Sequence, residues 1–250
     1  MKVSILASGS DGNCISIKSE ETTILIDAGI AKTKIEKRLL EVGIRADEID
    51  AIFITHAHRD HVKGLPLANK YHIPVYASEG EWKHIQGLDE ELHCPLFPNE
   101  CIVLPNKSKS EMTVDYFKTH HDAYDSLGYV IEGDQTISIC LDTGKVDSEM
   151  LYAMQDSDIY IIEANHDPDM VRASSYPVSV QERILSDIGH LSNEQAATTL
   201  QRLIRGKGER IYLTHLSSAN NLPTLARMTV IDALKRKGFE LDKHYFLEVV

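Results

Sequence analysis

Thr55-His56-Ala57-His58-Arg59-Asp60-His61 sets three imidazoles and a carboxylate within six positions, directly after the apolar run Ile52-Phe53-Ile54. Imidazole and carboxylate suit borderline divalent ions, Zn2+ first and Mn2+ or Fe2+ where oxygen ligands weigh more. His56 and His58, two apart on a turning segment, can share one ion. The adjacent Asp60 and His61 project differently and can serve a second. The plain alternative is a solvated histidine-rich loop, but such loops are rarely combined with the strand-end pattern that runs through the rest of this chain.

Working outward, apolar runs repeatedly end in a ligand-capable residue. Ile24–Ile26 ends at Asp27, Ile52–Thr55 at His56, and the run through Val114 and Phe117 at His120-His121-Asp122. Ile137–Leu141 ends at Asp142, Ile159–Ile162 at Glu163, and Ile211–Thr214 at His215. Six strands delivering such side chains at their C-terminal ends are expected to converge on one site. Periodicity predicts further strands at Val3–Leu6, Cys14–Ile17, Pro74–Tyr76, Gly128–Glu132 and Tyr245–Val249. Helices are predicted over Lys32–Val42 (Ile35, Leu39, Leu40 and Val42 inward), Leu65–Tyr71, Glu149–Met154, Val180–Ser186, Glu194–Ile204 and Leu225–Lys237. Ser192-Asn193-Glu194-Gln195 fits a capping box and puts His190 on a loop just outside a helix start. Many strands, mostly without a helix after each, point to two sheets covered by helices. No linker or repeat divides the chain, so residues 1–250 read as a single domain.

Composition narrows the class. In 250 residues, 42% are hydrophobic and 26% charged, an ordinary globular balance. Lys and Arg number 26 against 38 Asp and Glu, a net charge of −12 that argues against general attraction to nucleic acid. It does not exclude a nucleic-acid enzyme, because bound divalent ions can be the largest local positive charges in a site. The four cysteines, Cys14, Cys94, Cys101 and Cys140, form no C-x-x-C pair and read as reduced, buried thiols. Apolar runs fall far short of the roughly 20 residues that span a bilayer. Met1-Lys2-Val3-Ser4-Ile5 carries no apolar leader pattern. A cytoplasmic protein without a membrane partner is expected.

The H-x-H-x-D-H loop after a short strand resembles the hallmark of the metallo-β-lactamase superfamily. That resemblance implies a mixed α/β (α+β) fold, a four-layer αββα sandwich with two divalent ions (Zn2+ or Mn2+, Fe2+ as a further candidate) at one edge. It further implies a first metal site of His56, His58 and His121, a second of Asp60, His61 and His215, and Asp142 as the bridge. His120 stands beside His121 as the alternative third histidine; His121-Asp122-Ala123 resembles the family's H-D-A pattern. Asp27 is similar to a family aspartate that orients the ligand loop by hydrogen bonds. Ala7-Ser8-Gly9-Ser10-Asp11-Gly12-Asn13-Cys14, Leu141-Asp142-Thr143-Gly144, Glu163-Ala164-Asn165-His166-Asp167, Gly189-His190-Leu191-Ser192-Asn193 and His215-Leu216-Ser217-Ser218 resemble the YycJ/WalJ branch, bacterial 5′→3′ exonucleases. Asp11 and Ser126 depart from that branch, where serine and proline are commoner.

Two divalent ions a few ångströms apart can generate a bridging hydroxide and clamp the attacking and leaving oxygens of a phosphodiester, but they serve other hydrolyses too. Between Asp142 and His215, Glu163 and His190 resemble the acid pair of the superfamily's phosphodiesterases, in which the histidine protonates the leaving oxygen and the glutamate holds its ring. A structural account is open for each: His190 as a loop residue before a cap, Glu163 as a loop salt bridge. The resemblance implies DNA with a 5′ end, duplex in form, as substrate, cut by a metal-bridging hydroxide that Asp60 orients while His190 acts as acid. Oligomeric state stays open. Two rivals stand beside it: a small-molecule cyclic phosphodiesterase, favoured by the acidic charge, and a non-catalytic metal-binding regulator. Arg183 reads equally as a phosphate ligand or a solvated helix position, and Ser10 and Asn13 as substrate contacts or turn residues.

Overall fold

A computed structural model of the chain describes residues 1–20, 22–98, 100–104 and 111–250. They form two compact units. The first comprises Met1–Asp115, Ala123–Leu127 and Ile131–Asp134, and the second Tyr116–Asp122, Gly128–Val130 and Gln135–Val250.

In the first unit β1 (Lys2–Ala7), β2 (Cys14–Ser19), β3 (Thr22–Ile26), β4 (Ala51–Phe53), β5 (Val75–Ser78) and β6 (His93–Leu96) form a sheet in sequence order. β1 to β3 are antiparallel, and β3 to β6 are parallel. Parallel neighbours need crossovers. α1 (Lys32–Glu41) supplies one, and α2 (Arg59–Val62) with α3 (Pro66–Tyr71) the next. β3 and β4 are buried along their whole length, as the apolar runs Ile24–Ile26 and Ala51–Phe53 require. Ile35 and Leu39 of α1 are fully buried in the same cluster as Leu25, Ile52 and Val75. Each such side chain contributes roughly 1.5–3 kcal/mol on burial. Leu40, expected inward, is instead 64% exposed. An i, i+4 pair (Ile35, Leu39) already defines the buried stripe, and the next residue lies about 100° round the helix from it.

The second sheet has the order β13-β12-β11-β10-β9-β8-β7, with β7 Ile102–Leu104, β8 Met112–Lys118, β9 Leu127–Glu132, β10 Thr136–Cys140, β11 Ile159–Glu163, β12 Glu209–Thr214 and β13 Tyr245–Val249. Its half from β10 to β13 is parallel and lies in the second unit. α4 (Ser148–Ala153), α5 (Pro168–Ala173), α6 (Val178–Ile184), α7 (Asn193–Leu203) and α8 (Pro223–Arg236) fall in its crossovers. Leu200 and Leu203 of α7 and Val230 and Leu234 of α8 join Tyr160, Ile162 and Leu213 in one buried cluster. The predicted capping box at Ser192 forms: its hydroxyl accepts from the Gln195 amide, and Gln195 accepts from the Ser192 amide. β6, β7, α2 and α5 were not predicted. Cys14 and Cys140 are buried as expected, but Cys94 is only half-buried and Cys101 is exposed; all four thiols are free. Among the described residues, no helix is long and apolar enough to cross a membrane.

Candidate metal centre

In the first unit, register builds the ligand loop's support. Ile26 of β3 pairs with Phe53 of β4, and the Asp27 amide donates to the Phe53 carbonyl at 2.8 Å. This brings the Asp27 carboxylate under Thr55, whose amide donates to Oδ1 at 2.8 Å. Oδ2 accepts from His61 Nδ1 at 2.7 Å, with both side chains fully buried. Burial pushes the Asp27 carboxyl above its ordinary value, against the His61 charge and the hydrogen bonds of His61 and Thr55, which pull it down.

The loop itself folds tightly. His56 Nε2 and His58 Nδ1 face each other at 2.9 Å. Two imidazole nitrogens on one tetrahedral zinc, each bonded at about 2.0–2.1 Å, stand roughly 3.3 Å apart, so this pair fits a shared ion. With Nδ1 of His61 committed to Asp27, Nε2 is the nitrogen left to face an ion, 3.6 Å from Asp60 Oδ2. Asn13 is buried and closes the loop from behind: its amide donates to the Asp60 carbonyl at 2.8 Å, and its Nδ2 lies 3.1 Å from His61 Nε2. Asn13 therefore braces the loop, in line with the turn role open to it. Gly29 is required there, since a Cβ would fall 1.6 Å from the Asp60 carbonyl oxygen.

In the second unit, parallel pairing aligns three strand ends. Cys140 pairs with Ile162 and Glu163 with Thr214, so Asp142, Glu163 and His215 emerge at one edge. Asp142 and His215 turn there with left-handed φ of 44° and 56°, conformations that cost of order 1–3 kcal/mol for such residues and cluster at functional sites. His215 Nδ1 lies 2.5 Å from Asp142 Oδ1 and 2.8 Å from Glu163 Oε1. His190 Nδ1 lies 2.6 Å from the same glutamate oxygen and 3.6 Å from Asp142 Oδ1. Glu163 Oε2 accepts the Thr143 and Leu191 amides at 3.1 and 3.2 Å. Burial alone pushes the Glu163 carboxyl up. The His190 charge and the hydrogen bonds of both histidines override it and hold the group at about 2. Burial disfavours charge on His215 and His190, but the carboxylates beside them raise His215 to about 9 and hold His190 well above its ordinary value. Ligand-capable atoms of Asp142, Glu163, His190 and His215 all lie within 4.8 Å of one another, a donor set suited to a divalent cation.

His121 and His120 part ways. His121 is buried, its Nδ1 donates to the Gly189 carbonyl at 3.0 Å, and its Nε2 lies 3.9 Å from Asp142 Oδ2. His120 instead turns to Asp147, at 2.6 Å. Arg183 pairs with Asp122 at 2.7 Å. Two buried or half-buried carboxylates escaped the sequence reading. Glu81 lies three residues past β5, in a short 3-10 turn, and no local sequence signal marks it. Asp147 precedes α4 as an N-cap, which an Asp just before a predicted helix signals.

A family model described as "Beta-lactamase superfamily domain" matches residues 22–216. The chain is 36% identical to Exodeoxyribonuclease YycJ of Bacillus anthracis over 97% of its own length and 92% of that protein. It is 37% identical to Exodeoxyribonuclease WalJ of Streptococcus pneumoniae serotype 2 (strain D39 / NCTC 7466) over 93% of its length and 88% of that protein. The crystal structure of the metallo-β-lactamase fold protein YhfI from Bacillus subtilis superposes with a TM-score of 0.71 at 15% identity, covering 99% of this chain and 95% of that one. The two sheets with their helices have this fold. The chain belongs to the metallo-β-lactamase superfamily, in the branch of the YycJ and WalJ exodeoxyribonucleases.

Proposed function

We propose that this protein is a divalent-metal-dependent phosphodiesterase that removes nucleotides from a 5′ end of duplex DNA. The names of its full-length relatives support the substrate class. The observation that carries the reaction type is the His190–Glu163 pair at 2.6 Å beside Asp142 and His215, a histidine held by a buried carboxylate next to a candidate metal ligand set. The ligands in this reading are His56, His58, His121 and Asp142 for one ion, and Asp60, His61, Asp142 and His215 for the other, Zn2+ or Mn2+ being the candidates. When bound, the ions supply a hydroxide nucleophile at neutral pH and neutralise phosphate charge.

The chain's own residues do the rest. Asp60 orients the attacking water. Glu163 takes the proton on His190 Nδ1 as a hydrogen bond, which leaves Nε2 to protonate the leaving 3′ oxygen. Residues 1–250 act as a single domain in this proposal, since no linker or repeat divides the chain. A reducing, cytoplasmic setting suits four free cysteines. His190→Ala should lower turnover on DNA by roughly 10²–10⁴-fold, the usual worth of a general acid, while metal content by elemental analysis stays at the wild-type level. Parallel loss of both would make His190 a ligand or a structural residue instead.

A further inference from the structure

Within the first unit, an aromatic ring stands out of the surface beside the metal-ligand loop. Tyr124 is 72% exposed, yet it is not loose: its ring stacks on that of His84 with centroids 4.6 Å apart and planes 28° from parallel. With one face against His84, so large an exposure requires the opposite face to lie in water. The mounting is rigid. Glu81, which is 2% exposed, accepts the Asp125 amide with one carboxylate oxygen at 2.6 Å and the Ala57 amide with the other at 2.8 Å. Ser78 donates to the Asp125 carbonyl at 2.8 Å. One buried carboxylate thus ties the residue after Tyr124 to the residue between His56 and His58. The open ring face is fixed relative to two candidate metal ligands.

A flat, pre-oriented aromatic face beside a phosphodiesterase centre is what an unpaired nucleobase stacks on, and such stacking tolerates every base because each has a π-face. We infer that Tyr124, backed by His84 and mounted on Glu81, is a binding platform for a terminal nucleobase of the DNA strand being degraded. The inference rests on the DNA reading above and adds to it a base-contacting residue. A protein partner would be the other use of an exposed ring, and dependence on the nucleobase separates the two.

The test is binding of duplexes carrying 2-aminopurine at the first or second nucleotide of the 5′ strand, with phosphorothioate linkages there to block cleavage, to Mn2+-loaded protein. Wild type should quench the fluorophore at one of the two positions. Tyr124→Ala should lose that quench and bind about tenfold more weakly, within the roughly 5- to 150-fold that one base–aromatic stack is worth. Tyr124→Phe, which keeps the ring, should behave as wild type, and Tyr124→Leu, which keeps only bulk, should resemble the alanine variant. An abasic nucleotide at the quenched position should weaken wild type to the level of Tyr124→Ala and leave that variant unchanged. A Tyr124→Ala protein that quenches and binds like wild type overturns the platform while leaving the nuclease reading intact. A wild-type protein that neither binds nor degrades DNA overturns both.

Discussion

His61 is fixed by what its two nitrogens touch. Nδ1 donates to Asp27 Oδ2 at 2.7 Å, and Thr55 Oγ1 lies 3.1 Å from the same nitrogen. The tautomer with its lone pair on Nε2 follows, and the ring cannot turn. A carboxylate behind a ligating histidine both orients it and raises its basicity, and losing such a partner typically costs 10–100-fold in metal affinity. Asp27→Ala is expected to weaken metal binding by that factor in a chelator competition. Asp27→Asn, whose amide oxygen can still accept from His61, should lose much less. Equal affinity in wild type and Asp27→Ala would remove the support role. Asp142 and His215 show the same economy at the second unit's strand ends, where left-handed φ values turn ligand-capable side chains out of their strands.

At the scale of elements, α4 joins helix chemistry to the site. Asp147 Oδ1 accepts the Glu149 and Met150 amides at 2.9 and 3.0 Å, and Oδ2 accepts from His120 at 2.6 Å. The cap thus holds the residue before His121 as well as a helix start. Asp147→Ala should destabilise the protein by about 1 kcal/mol, the usual cost of losing a cap. The Met150 amide and the His120 hydrogen bond hold the Asp147 carboxyl below its ordinary value. Its stabilisation is therefore present above the unfolded value near 3.9 and is lost as pH falls through the lower folded one. Urea unfolding of wild type and Asp147→Ala should differ by a constant amount above about pH 5 and converge below about pH 4; a gap that stays constant into acid would contradict the cap. The elements differ in how far the sequence revealed them. The α7 start was legible because a capping box is local chemistry. α2 was not: it is one turn of Arg-Asp-His-Val, held by the Ala28 amide on the His61 carbonyl, a contact no window of sequence contains. β6 includes Pro95 and is only partly buried, so its periodicity is faint, and it exists because β5 offers a parallel edge.

For the molecule as a whole, the strand-end pattern was readable because parallel strands in register bring their C-terminal residues side by side, as Asp142, Glu163 and His215 show. Roles that depend on long-range hydrogen bonds were not readable. Glu81 binds Ala57 and Asp125, 24 and 44 residues away, and Tyr124 gains its stack on His84 only through folding. A net charge of −12 gives the chain little general attraction for a polyanion. On this account DNA is held by bound metal ions and local contacts, so chelation should abolish binding as well as cleavage. The most direct test of the central claim is digestion of 5′-labelled and 3′-labelled duplex DNA by Mn2+- or Zn2+-loaded protein, with Asp142→Ala alongside. Early release of the 5′ label, delayed release of the 3′ label and no release by Asp142→Ala are the predicted results. Intact DNA with fully metal-loaded protein, or 3′ label released first, would contradict the account.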